Sequence, residues 1–173
     1  MTALLRLASQ ARALRVDDAP ATVRECLREQ RLSLFVAAAR GRSFPGVGAV
    51  LDLLGCGPTG SHPILPGLAA PSLPDALEAA TLLSTAWGED DVLLPARTGP
   101  VGWTALLGAA ELGLGWGDVD RAQAVGNELA ARLSGSCLGA RRPLRSPGLT
   151  LAFGSAAAAA TLLDLPEPKF AHA

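Results

Sequence analysis

Residues 101–133 read VGWTALLGAAELGLGWGDVDRAQAVGNELAARL, and this stretch decides the fold. Trp103, Leu106, Leu107 and Leu112 recur at helical spacing over 101–114, with no strand-like alternation between them. Gly117-Asp118 then supplies a tight turn and a side chain suited to capping a new helix. Over 119–133 the apolar residues Val125, Leu129 and Leu133 return every four positions. Two amphipathic helices separated by a short break must bury their stripes against each other or against further helices.

The same pattern extends in both directions. Residues 149–163 form an expected last helix whose face is alanine, small enough for a neighbour to approach closely. Pro166 and Pro168 end it, and 167–173 read as a frayed tail. Upstream, Ser72 or Pro74 opens a helix with Leu77, Ala80 and Leu83 on one stripe, ending near Gly88. Before it, GCGPTGSHPILPGLAAPSL (55–73) is too rich in glycine and proline for a helix and reads as an irregular connection. A short extended piece is expected there around Ile64 and Leu65. Residues 21–40 carry Val23, Leu27, Leu34, Phe35 and Ala38 near helical spacing, with Gly41 as the expected C-terminal cap. Ser43 is placed to cap a third helix with Pro45 in its first turn. The reading is all-α: an antiparallel bundle of six or seven helices, with 1–20 as an arm or short helix, 21–166 as the domain and 167–173 as the tail.

Composition agrees. The chain has 173 residues, enough for one domain with a real core. Its apolar content is dominated by alanine and leucine, and aromatics are only 4%, which favours helix over sheet. The net charge of −1, with arginines dispersed, excludes the basic stripe of a nucleic-acid binder. Arg141, Arg142 and Arg145 form the one tight cationic cluster, read as a solvated loop or an anion site. Cys26, Cys56 and Cys137 lack metal or disulfide spacing, so neither a metal nor a disulfide framework is expected. The longest apolar run, 156–165, is half the ~20 residues of a membrane span. Arginines interrupt the N-terminus, unlike a secretory signal, so a cytoplasmic location is expected. Gly55-Cys56-Gly57 and Gly115-Trp116-Gly117 lack the strand–loop–helix setting of a phosphate cradle. No cofactor is expected.

Three segments in order resemble the MmgE/PrpD family. GPTGSHPILPGLAAPSLPDALEAATLLSTAWGEDD (57–91) looks like the family's approach to an alanine-rich helix and acidic loop. GWTALLGAAELGLGWGDVDRAQAVGNELAARL (102–133) is similar to its helix pair, with Gly126-Asn127-Glu128-Leu129 and Arg132 in place of the glycine-tyrosine-glutamate-valine motif and its arginine. LAFGSAAAAATLLDL (151–165) resembles its glycine-rich polyalanine helix. The resemblance spans about residues 21–166. It implies a metal-free lyase of small carboxylic acids, built from a helical domain plus a lid and commonly homodimeric. These residues match only the first part of the helical domain.

What the resemblance implies about the site is incomplete. Asp90 and Asp91 match the family's aspartate pair and are the candidate catalytic residues. Thr85, Arg97 and Arg145 are the candidate substrate-binding positions, yet Thr85 and Arg145 stand where the family has histidine, as does Gly99-Pro100 for its histidine-proline pair. His62 and His172 are the only histidines, Lys169 the only lysine, and tyrosine is absent. Proton transfer beside a carboxylate needs a tuned acid or base and cationic donors. Glu89, Asp90 and Asp91 supply such a pair if crowding raises one pKa, and Arg97 and Arg145 hold a carboxylate if they converge with it. The bland alternative is a solvated acidic loop.

Two classes of function follow. One is a half-size lyase-like protein acting on a small carboxylic acid or carbonyl metabolite, its site rebuilt from these residues or completed by another chain. The other is a non-catalytic interaction or stabilising subunit. Either way the expected partner is a second copy, giving a homodimer, or a larger lyase-like subunit, with a small carboxylate as possible ligand and no membrane or nucleic acid.

Overall fold

The protein is described by a computed structural model covering residues 3–16, 18–88, 92, 93, 96–138 and 147–172. The described residues are mostly helical: α1 (Ala3–Ala13), α2 (Ala21–Gly41), α3 (Val47–Leu53), α4 (Leu73–Thr85), α5 (Gly99–Glu111), α6 (Trp116–Leu138), α7 (Pro147–Leu162) and α8 (Glu167–Phe170). Two short antiparallel ribbons interrupt them, β1 (His62–Leu65) with β2 (Leu68–Ala70), and β3 (Val92–Leu93) with β4 (Ala96–Arg97). The all-α bundle read from the sequence is the architecture found.

α6 and α7 form the most extensive helix pair, and glycine makes it possible. A Cβ on Gly126 would sit 2.6 Å from the Gly154 carbonyl oxygen, and one on Gly154 2.9 Å from that of Gly126. The two backbones therefore touch where both lack side chains, with Val101, Ala130 and Ala158 packed around the crossing. Val101, Ala105 and Ala109 of α5 close this layer against Val119, Ala122 and Ala158.

A second core lies between α2, α4 and α5. Leu34, Ala38, Ala76, Ala80, Leu83 and Leu107 form one buried cluster with Trp103, which is 1% exposed. The buried indole N–H needs a partner, and Trp103 Nε1 donates to Ser84 Oγ at 3.1 Å. Ser84 in turn donates to the Ala80 carbonyl. Phe35 meets Trp103 edge-on at 5.0 Å.

Several boundaries differ from expectation for physical reasons. Gly41 is not a cap: it is the last residue of α2 and is buried, where any Cβ would collide with the Leu83 carbonyl. Ser43 does not cap α3 but donates to the Arg40 carbonyl, and the left-handed Gly46 (φ 87°) precedes α3 instead. The irregular connection holds a hairpin over Ile64 and Leu65 whose two-residue loop is Pro66-Gly67, with Gly67 at φ 71°. Ser72 caps α4 as expected, accepting from the Asp75 amide at 3.3 Å. α6 starts at Trp116, ahead of the expected 119, while Asp118 still accepts from the Gly115 amide. Beyond Pro166 the chain turns through α8 and buries Phe170 against Ala8, Ala11 and Ala157.

Candidate functional site

The positions carried from the resemblance are only partly placed. Thr85 ends α4, half-buried, and its hydroxyl donates to the Thr81 carbonyl at 2.8 Å, so it is engaged within its own helix. Asp90, Asp91 and Arg145 lie outside the described residues, as does the side chain of Arg97. The backbone of Arg97 is described. It pairs across β3–β4 with Val92, the residue that follows Asp91 in the chain, and β4 packs on α7.

His62 has partners that the sequence did not disclose. Its Nε2 lies 2.8 Å from Glu111 Oε2 and its Nδ1 3.0 Å from Ser61 Oγ. The trio has the composition of a nucleophilic triad but not its proton path. Ser61 donates its single proton to the Pro71 carbonyl at 2.9 Å, leaving Oγ an acceptor toward the imidazole rather than a nucleophile primed by it. The contacts tie β1 to the C-terminal end of α5, so His62 serves packing of the connection. The Cys56 thiol is no better placed: burial raises its pKa above the usual value and the Asp75 carboxylate raises it further, opposite to what a reactive thiolate needs.

The densest polar arrangement among the described residues joins α2, α6 and the start of α5. Arg31 occupies the α2 stripe between Leu27 and Leu34 and is 6% exposed. Its Nη2 lies 2.7 Å from Asp120 Oδ1 and its Nη1 donates to Gln123 Oε1 at 2.7 Å. The contact with Asp120 is off the N–H axis, so that oxygen is ion-paired without an aligned hydrogen bond. The close approach of opposite charges is the feature that matters, because it neutralises a guanidinium removed from water. Gln123 donates to Gln30 Oε1 at 2.6 Å, Asn127 donates to the same oxygen at 2.8 Å, and Gln30 donates to Thr98 Oγ1 at 2.6 Å. Thr98 and Gln123 are both fully buried. The family-like motif is thus structural in this chain. Gly126 makes the helix crossing, Asn127 joins the polar layer, and Glu128 pairs with Arg132 at 2.6 Å on the surface.

Above this layer lies an open groove of about 450 Å³ lined by Arg28, Arg31, Leu32, Phe35, Trp116 and Asp120. Trp116 is 68% exposed and Leu32 66%, and the Arg31 guanidinium lies 5.6 Å from the Trp116 ring centre, within cation–π range. Val36, also exposed, extends the apolar surface along α2. Sequence reasoning missed the groove because α2 and α6 are far apart in the chain. The one available signal was an arginine inside the apolar stripe of α2. No group of histidine, cysteine and acidic residues suited to a metal occurs among the described residues, and no helix among them is long and apolar enough to cross a membrane. No family model matches the chain, and neither the curated proteins nor the solved structures give a match.

Proposed function

We propose that this chain is a non-catalytic interaction subunit that works by association, with a second copy as its first partner. The observation that carries the reading is the outer face of α2 with Trp116. Leu32, Phe35, Val36 and Trp116 stand exposed together around one groove and its edge, and contiguous apolar surface of this kind marks interfaces. Beside them α2 presents Glu25, Arg28 and Glu29. Mixed charge around an apolar centre suits a two-fold contact, in which the same patch serves both copies. The described polar groups support the same reading, since Thr85, Ser61, His62 and Ser84 are all held in structural hydrogen bonds.

Sedimentation equilibrium tests it. The wild-type chain is expected at twice its monomer mass, and Leu32→Asp with Val36→Asp at the monomer mass with unchanged helicity. A monomeric wild-type chain across the concentration range overturns the proposal.

One observation favours the lyase-like alternative: the β3–β4 register sets Arg97 across from the residue next to Asp91. Under that reading Asp91→Asn abolishes turnover of a small carboxylic acid and leaves assembly intact. Turnover that survives the substitution removes Asp91 from the site.

A further inference from the structure

We propose that the groove between α2 and the start of α6 is a binding site for an organic carboxylate with a flat or branched apolar body, anchored by Arg28. This goes beyond association through α2, and because Leu32, Phe35 and Trp116 belong to both surfaces, a bound carboxylate and a second copy compete for the same face. Arg31 and Asp120 neutralise each other on the floor of the groove at 2.7 Å, so the charge left over is that of Arg28. Arg28 is exposed, lines the groove and makes no hydrogen bond or ion pair with any described residue, Glu25 and Glu29 included. A free guanidinium beside an apolar trough is a fork for a carboxylate, which it grips through two parallel N–H donors.

The walls specify what the carboxylate is attached to. Phe35 and Trp116 offer aromatic surface and Leu32 aliphatic surface. The Phe35 ring is held by its edge contact with buried Trp103, so that wall is positioned before anything binds. A volume of about 450 Å³ lies within the ~300–1,000 Å³ of small-molecule sites and holds an aryl or branched alkyl group with a short acid arm. The groove also sits at the first turn of α6, a helix of 23 residues, whose N-terminal end carries partial positive charge and reinforces the preference for an anion. A small, highly charged polycarboxylate leaves the apolar walls unused.

The test uses the full chain and three probes, 3-phenylpropionate, indole-3-acetate and 4-methylpentanoate, each with its primary amide, followed by calorimetry and by amide NMR shifts. At least one acid is expected to bind with shifts at Phe35 and Trp116, and its amide about tenfold more weakly, the loss expected when a charge-assisted hydrogen bond becomes a neutral one. Arg28→Gln removes the difference between acid and amide, and Arg28→Lys keeps part of it. Arg28 is exposed, so neither substitution disturbs the fold. Equal affinity for acid and amide, indifference to Arg28→Gln, or no binding of any of the three acids overturns the site. Self-association is read from sedimentation of Val36→Asp, a residue outside the groove lining. The same acids are titrated into that variant, so that an acid that fails to bind is distinguished from a groove covered by a second copy.

Discussion

Arg31 shows how much one residue constrains. A guanidinium in the middle of an apolar helix stripe is tolerable only if its charge is met, and Asp120 and Gln123 meet it. Removing one member leaves a buried charge uncompensated, which costs about 3–5 kcal/mol. Asp120→Ala is therefore expected to lower the unfolding free energy by that much, seen in urea as a lower midpoint at unchanged slope. The paired change Arg31→Met with Asp120→Leu is expected to recover most of the loss. A single Asp120→Ala variant as stable as wild type contradicts the role given to the pair. The cysteines give a second residue-scale prediction. Cys26 is exposed, whereas burial and Asp75 hold the Cys56 thiol above its usual pKa. A neutral thiol is a poor nucleophile, so iodoacetamide at neutral pH modifies Cys26 before Cys56, and Cys56 gains reactivity only as the pH climbs beyond the ordinary thiol range. Faster labelling of Cys56 rejects that ordering.

Among the elements, the crossing of α6 and α7 is the tightest. Gly126 and Gly154 each leave the other's carbonyl where a side chain would stand. Gly126→Val or Gly154→Val forces the helices apart, and overpacking of this kind costs about 1–3 kcal/mol or more. Thermal melts are expected to show both variants destabilised, while Gly117→Ala, where a Cβ meets nothing, leaves the midpoint near wild type. Equal effects at all three positions rule out a special crossing. Helix positions were legible because the relevant signals are local. Ser72, Gly88 and the stripe of Leu77, Ala80 and Leu83 are read within one turn or two. The errors fell where a residue answers to a distant neighbour. Gly41 looks like a cap along the chain but is set by Leu83, and Phe170 looks like tail but is buried against α1 and α7. The alanine face of α7 was readable as an invitation to close packing, though its partner Gly126 was not.

For the whole molecule, the helical architecture was written in composition and period, and the groove was not. The groove exists because α2 and α6, nearly a hundred residues apart at Arg31 and Gln123, share one polar layer. The family-like motif residues point the same way: in this chain Gly126, Asn127, Glu128 and Arg132 are occupied with packing, a buried hydrogen bond and a surface ion pair. Three of the five candidate site positions, Asp90, Asp91 and Arg145, fall outside the described residues, and Thr85 is engaged within its helix.

A chain that acts by association must cover the outer face of α2 when copies meet. Hydroxyl-radical footprinting of dilute and concentrated protein reads this directly, because Leu32, Val36 and Trp116 are exposed in the single chain and Leu53, 87% exposed on α3, serves as a reference away from the groove. Labelling of the first three is expected to fall on concentrating the protein while labelling of Leu53 holds constant. Unchanged labelling at Leu32, Val36 and Trp116, or protection at Leu53 in their place, contradicts the account.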